Sequence, residues 1–292
     1  MGEESDLVPV TVAVRVCPPP PVTNPFTQHN LSVQVNTATN QLYLGSDHRF
    51  SFDCLYGANS AQEEVFTSSV EPLLTPYLDG YNVSVLMFGA AGTGKTFTLV
   101  GPSLVPALDE ESFGVIPRLV RSLFRALAGQ SDSRSVVSVS YAEVHNEEVR
   151  DLLSDSLTPL DQDCQAGLTN IPCGEVSEVL ACLEMGQSLH SQPSLMSDPG
   201  SHTIFSLSLS QQCGPLYKHS QFQFVDLAPS DRLTAPSGAI NLGLLSLGKL
   251  TTRNKPKNLN FSLKIPEKRH KKYFGEILSF LTKYYVILIP LI

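Results

Sequence analysis

The chain has 292 residues and a mass of 31.8 kDa, with 20 basic against 28 acidic residues for a formal charge of −8. At 42% hydrophobic and 8% aromatic it can bury a core, which excludes a disordered tail protein and fits one large or two small domains. The acidic balance argues against a generic nucleic-acid binder, because such domains carry a basic surplus.

The first six residues are acidic and lack the apolar run of a signal peptide. Asp6 stands where a myristoylation signal needs Ser or Thr. Residues 9–16 alternate as a half-buried strand, which the four prolines from Pro18 to Pro21 cannot continue. Residues 31–44 predict a hairpin with a polar turn at 36–41. Residues 62–78 have helical spacing through Val65, Phe66, Val70, Leu73 and Leu74, broken at Pro76 and closed by Asp79 and Gly80. Residues 83–88 form an apolar run of strand length. Further along, 116–127 predict a helix, 136–141 a strand, 149–153 a short turn or strand end, and 176–183 a helix. Residues 203–209 and 221–225 alternate as two more strands. This mixture predicts an α/β fold with a mainly parallel sheet covered on both faces.

The six cysteines show no Cys-x-x-Cys spacing, so neither a zinc site nor a disulfide framework is signalled. Reduced, buried thiols in a cytosolic protein are the expectation. Chemistry is concentrated after residue 88. Gly89, Ala90, Ala91, Gly92, Thr93, Gly94, Lys95 and Thr96 match Gly-x-x-x-x-Gly-Lys-Thr between an apolar strand and the start of a helix at Phe97. Glycines let backbone N–H groups close around a β-phosphate, and a helix start adds its positive end. Lys95 would neutralise β/γ-phosphate charge, and the Thr96 hydroxyl would hold Mg²⁺. Asp226 ends the apolar strand 222–225, where such sheets place the carboxylate on the Mg²⁺ side.

Together these segments resemble a kinesin motor domain. Residues 12–18 are similar to that family's first strand and its Arg-x-Arg-Pro motif, with Cys17 in place of the second arginine. Residues 50–53 and 62–65 resemble the segment before the P-loop, and 80–82 with 87–98 resemble the Gly-Tyr-Asn strand and the loop itself. Residues 140–153 are similar to the Ser-Tyr-Leu-Glu-Ile-Tyr-Asn-Glu segment. Ser201 and His202 resemble the end of switch I, 226–231 switch II, and 240–248 the helix that follows. The resemblance implies a P-loop three-layer sandwich with a mainly parallel mixed central sheet. It implies ATP and Mg²⁺ as cofactors, the adenine lying beside Arg15, Pro18 and Phe97. The metal ligands would be Thr96 and Asp226, and the catalytic set Lys95, Thr96, Asp226, Ser201 and Asp231. The implied partner is the microtubule and the implied setting the cytoplasm and cytoskeleton.

The departures fall on hydrolysis rather than binding. Aligned back from Ser201, the switch I serines and arginine of the family become Asp198, Pro199 and Gly200. In switch II, Asp-Leu-Ala-Gly-Ser-Glu becomes Asp-Leu-Ala-Pro-Ser-Asp. Pro229 has no N–H to offer a γ-phosphate. Asp231 would face Gly200, so the family's ion pair between the switches is lost. A shifted loop alignment, with Ser197 or Ser230 as substitutes, is the alternative. Weak or absent hydrolysis is therefore expected; the rival functions are a non-hydrolysing, nucleotide-binding pseudo-motor serving as a microtubule-binding or scaffold module, and a non-functional truncated isoform.

The charge divides where the resemblance stops. Residues 1–248 carry 10 Lys/Arg against 26 Asp/Glu, and residues 249–292 carry 10 against 2. The first part reads as an incomplete motor domain, and the second as an atypical basic, then apolar, tail of a product cut short. Residues 274–292 are long enough to reach across a bilayer, but Glu276, Lys283 and Pro290 argue against an anchor. The family's late central strand is not evident in the tail. Residues 284–289 are the one stretch that could fill its place, and without it two strand edges would stay open. No heptad pattern signals self-association, so oligomeric state is not indicated.

Overall fold

The computed structural model describes residues 10–18, 33–45, 48–102, 110–129, 133–145, 148–154, 167–191, 201–229 and 285–291. Its strands are β1 Val10–Arg15, β2 Val33–Asn36, β3 Gln41–Leu44, β4 His48–Ser51, β5 Cys54–Tyr56, β6 Val83–Gly89, β7 Ser133–His145, β8 Glu148–Asp151, β9 Ile171–Cys173, β10 His202–Cys213, β11 Leu216–Asp226 and β12 Tyr285–Leu291. The α-helices are α1 Gln62–Val65, α2 Leu74–Leu78, α3 Lys95–Leu99, α4 Val115–Ala128 and α5 Val176–Ser191. The main sheet runs β5-β1-β12-β6-β11-β10-β7-β8, with β9 beside β7. Strands β5, β1, β12, β6 and β11 pair parallel. From β11 outward through β10, β7, β8 and β9 the pairing is antiparallel. The expected mixed sheet is present, with its parallel half grouped around β6.

Alternation on the strands selects the buried face. Val83, Val85 and Met87 on β6, Phe222 and Phe224 on β11, and Phe205 and Leu207 on β10 share one core with Val65, Leu119, Leu123, Val179 and Leu183 of the helices. The other face, over β1 and β5, carries β2–β4, which bury Leu42 against Val14 and Leu55. One close approach sets the seat of α5. A Cβ on Gly186 would lie 2.1 Å from Tyr141 Cδ1, so only glycine lets the helix rest on that ring.

The expected break at Pro76 does not occur. Pro76 lies in the first turn of α2, where a helix has no internal use for the missing N–H. The helical stretch is interrupted earlier instead, by a π-helical turn over Phe66–Val70 and a 3₁₀ turn over Glu71–Leu73. Gly80, at φ +101°, closes it as expected. The segment at 149–153 is a strand, β8, paired with the far end of β7.

The gap in the sheet is filled. β12 lies between β1 and β6 and pairs parallel with both, Val286 opposite Val10 on one side and Ser84 on the other. Pro290, one residue before the strand ends and in register with Phe88, has no N–H to give the ladder. Residues 230–284, including the boundary expected at 248, lie outside the described residues.

The topology makes a strong demand on seven residues. Deleting 285–291 would leave β1 and β6 as facing, unpaired edges in the sheet centre. The shortened chain is expected to aggregate on size-exclusion chromatography and lose its cooperative melt. A soluble variant with unchanged circular dichroism would show that the sheet closes without β12.

Candidate functional site

β6 delivers the chain to the phosphate-type loop at the carboxyl end of the parallel half of the sheet. Gly92 and Gly94 have φ of +74° and +93°. A Cβ at Gly92 would meet nothing within 4 Å, and one at Gly94 only Phe97 Cβ at 4.0 Å. Backbone conformation rather than space therefore demands glycine here, and an L-residue costs roughly 1–2 kcal/mol. Successive amides in such a turn form an anion-binding concavity. α3, which follows, has five residues, so its dipole adds little and anion recognition would rest on the loop amides and Lys95. Lys95 is buried, and its Nζ donates to Gly89 O at 3.0 Å and Ala90 O at 2.9 Å. Thr93 Oγ1 also donates to Ala90 O, at 2.9 Å.

Parallel pairing brings the second half of the site alongside. Asp226 stands in register with Met87, and Leu227 N–H donates to Met87 O at 3.1 Å. Thr96 Oγ1 donates to Asp226 Oδ2 at 2.9 Å. Asp226 Oδ1 is buried with no hydrogen-bond partner. Burial raises the pKa of this carboxyl, although the Thr96 hydrogen bond and the charges of Lys95 and His190 oppose the rise. A sealed carboxylate oxygen beside a hydroxyl fits Mg²⁺, which takes one or two protein oxygens and completes its shell with water and phosphate. Among the described residues no group of three or more His, Cys, Asp or Glu forms a dedicated metal cage.

Arg15 points inward: Nη1 donates to Gln62 Oε1 at 2.8 Å and Thr98 Oγ1 at 3.0 Å, and Nη2 to Ser60 O at 3.0 Å. The guanidinium lies 5.3 Å from the centre of the Phe97 ring, which is 43% exposed. Gln62 Nε2 donates to Phe97 O at 2.7 Å. Arg15 and Gln62 thus brace Phe97 from behind, while exposed Pro18 and the ring itself offer surface to a base. Cys17 Sγ approaches Gly92 O at 4.0 Å, so the strand end does lie beside the loop.

The switch-like segments are tied to one another and to β7. His202 is buried, and its Nδ1 accepts the Ala228 N–H at 2.9 Å. Ala228 N–H is therefore engaged, and Pro229 has none. Ser201 Oγ donates to Glu143 Oε1 at 2.7 Å, and His190 Nδ1 lies 3.0 Å from the same oxygen. Arg150 Nη1 lies 3.6 Å from Glu143 Oε2. Burial alone would raise the Glu143 pKa, but the hydrogen bonds from His190 and Ser201 and the charges of His190 and Arg150 hold it below the usual glutamate range. Lys95, Thr96 and Asp226 are thus brought together, and Ser201 is directed to Glu143. Asp231, Asp198, Pro199, Gly200, Ser197 and Ser230 lie outside the described residues. Glu143 and Gln62 had no role in the sequence reading, since a polar residue in a strand or helix gives no sign of its partner across the fold.

A family model described as the kinesin motor domain matches residues 20–255. The human kinesin-like protein KIF27 is 32% identical over 276 residues, covering 83% of this chain and 20% of that protein. The human chromosome-associated kinesin KIF4A is 34% identical over 277 residues, covering 86% of this chain and 22% of its own length. The chain thus spans about a fifth of the length of the curated relatives it matches. A solved structure of a fast kinesin, discussed for its ATPase mechanism and its interactions with microtubules, superposes with a TM-score of 0.75 at 25% identity. That likeness covers 97% of this chain and 85% of the other.

Asp226→Asn separates the cost of the sealed carboxylate from its use. With no cation bound, the wild-type chain should lose stability as pH rises from the ordinary aspartate range through the raised Asp226 pKa. The variant should lack that loss and be about 1 kcal/mol more stable at neutral pH, while binding Mg²⁺-nucleotide at least tenfold more weakly. Chemical denaturation across pH and titration with a fluorescent nucleotide read the two effects.

Proposed function

The chain belongs to the kinesin motor-domain family, and from that membership we propose that it binds Mg²⁺-ATP and engages microtubules as a divergent motor domain with weakened hydrolysis. The observation that carries nucleotide binding is the Thr96–Asp226 contact at the root of a glycine loop, with Asp226 Oδ1 left for a cation. When bound, Mg²⁺ would neutralise phosphate charge between Thr96 and Asp226. Lys95 would exchange its loop carbonyls for phosphate oxygens, and the braced Phe97 ring with Pro18 would receive the adenine. On this reading residues 1–248 are the motor-like part, and the basic tail adds the strand that closes the sheet. The setting proposed is the microtubule cytoskeleton of the cytoplasm.

A second reading is favoured by a specific observation. Donors aimed at the γ-phosphate are the largest contribution to such a reaction. In the segment after Asp226, one amide is taken by His202 and the next is a proline nitrogen. A protein with this arrangement holds nucleotide without splitting it efficiently, and would serve as a nucleotide-gated microtubule-binding module.

Microtubule-stimulated phosphate release, measured beside Lys95→Ala, decides between the two. The motor reading expects slow release that microtubules accelerate and Lys95→Ala abolishes. Tight binding of a fluorescent ATP analogue with no release would establish the second reading. Pro229→Gly restores an N–H and is expected to raise the basal rate at least tenfold, since one such donor is typically worth about 10²–10³. An unchanged rate would place the limiting defect elsewhere.

A further inference from the structure

Glu143 is 3% exposed, and its position is set by register. It stands opposite Thr203 on β10, which stands opposite Asp226 on β11, which stands opposite Met87 on β6. These four residues form one row across the sheet. Tyr141, Phe205, Phe224 and Val85, each two residues away from a member of the row, lie in the helix-covered core, so the row points to the same side. Two strand spacings put Glu143 about 10 Å from Asp226. A carboxylate this deep is tolerated only when its lone pairs are filled. Two of its partners come from different parts of the chain: His190 is the penultimate residue of α5, and Ser201 immediately precedes β10. Both use the single atom Oε1.

We propose that Glu143 is a positioning residue for the nucleotide site, joining the end of α5 to the start of β10 and thereby fixing the link from His202 to Ala228 beside Asp226. The path is short. Ser201 is held by Glu143; the next residue, His202, accepts the N–H of Ala228; and Ala228 lies two residues beyond Asp226. Glu143 reaches no loop amide and contacts neither Thr96 nor Asp226, so it acts through the segment it holds. A carboxylate suits the task because one oxygen can accept from an imidazole N–H and a hydroxyl together. An amide of the same shape keeps such an oxygen, so the link is interrupted only when the acceptor itself is removed. The Arg150 contact, on the other oxygen, joins β8 to β7 at the sheet edge and does not involve the α5–β10 connection.

The inference rests on the reading of Lys95, Thr96 and Asp226 as a Mg²⁺-nucleotide site. It is tested by titrating the full chain with a fluorescent ATP analogue and Mg²⁺. Glu143→Ala and Ser201→Ala should each weaken binding roughly tenfold, in the range seen when groups that orient site residues are removed. The double variant should be no weaker than either single one, because both interrupt the same path. Arg150→Gln, which strips the other oxygen of its cation, should leave the affinity within about twofold. Normal affinity in Glu143→Ala, or losses that multiply to about a hundredfold in the double variant, would overturn the proposal. Should Glu143→Ala fail to fold, Ser201→Ala against Arg150→Gln decides in the same way. If Lys95→Ala binds the analogue as tightly as wild type, the nucleotide reading itself falls, an outcome distinct from normal binding in Glu143→Ala alone.

Discussion

The parallel pairing of β11 with β6 is the constraint on which the site depends. It sets Asp226 level with Met87, two residues before the chain leaves the sheet at Gly89 and turns into the glycine loop. The hydroxyl of Thr96 then reaches the carboxylate without further adjustment. A slip of one residue would turn Asp226 to the opposite face and bring Val225 up against the loop. The apolar residues guard against that slip. Phe222 and Phe224 alternate with Gln223, and only the observed register buries both rings with Val83 and Val85. Core packing on β11 thus fixes the position of the polar residue at its end.

The same pairing explains why β12 matters beyond its length. β6 is held by β11 on one side and β12 on the other. A strand with one free edge could twist away from the ladder, and the root of the loop would move with it. The family match ends at residue 255, so the strand that steadies the loop from this side comes from beyond the matched region. Backbone pairing makes modest demands on sequence, and an apolar stretch rich in β-branched residues, Val286, Ile287 and Ile289 around Leu288, meets them.

Local rules revealed most of the elements and the loop in the sequence. The glycine pattern after an apolar run, the period-two strands and the Asp79-Gly80 stop all act over a few residues, and all appear in the fold. What stayed hidden was set by partners distant in sequence. Nothing near Arg15 in the chain announces that Gln62, Ser60 and Thr98 hold its guanidinium. Nothing near Gly186 in the chain announces Tyr141, and nothing near Glu143 announces His190 and Ser201. Pro76 misled for a different reason: it breaks a helix interior but suits a first turn, and the π-helical turn upstream makes it a first turn.

Two carboxylates in the row, buried Glu143 and half-buried Asp226, are satisfied to different degrees. Glu143 is a finished interaction, with two donors on one oxygen, a guanidinium facing the other, and a pKa held down by them. Asp226 is unfinished, with one oxygen sealed and empty-handed and a pKa pushed up by burial. A bound cation would recover the cost of the second. Nothing in that balance involves residue 229. On the proposed reading, the unsatisfied carboxylate would still draw Mg²⁺-nucleotide while Pro229 would withhold a donor from the γ-phosphate. Binding would then depend on the β6–β11 pairing and its row, and hydrolysis on amides beyond the strand end, where Pro229 has no N–H to offer.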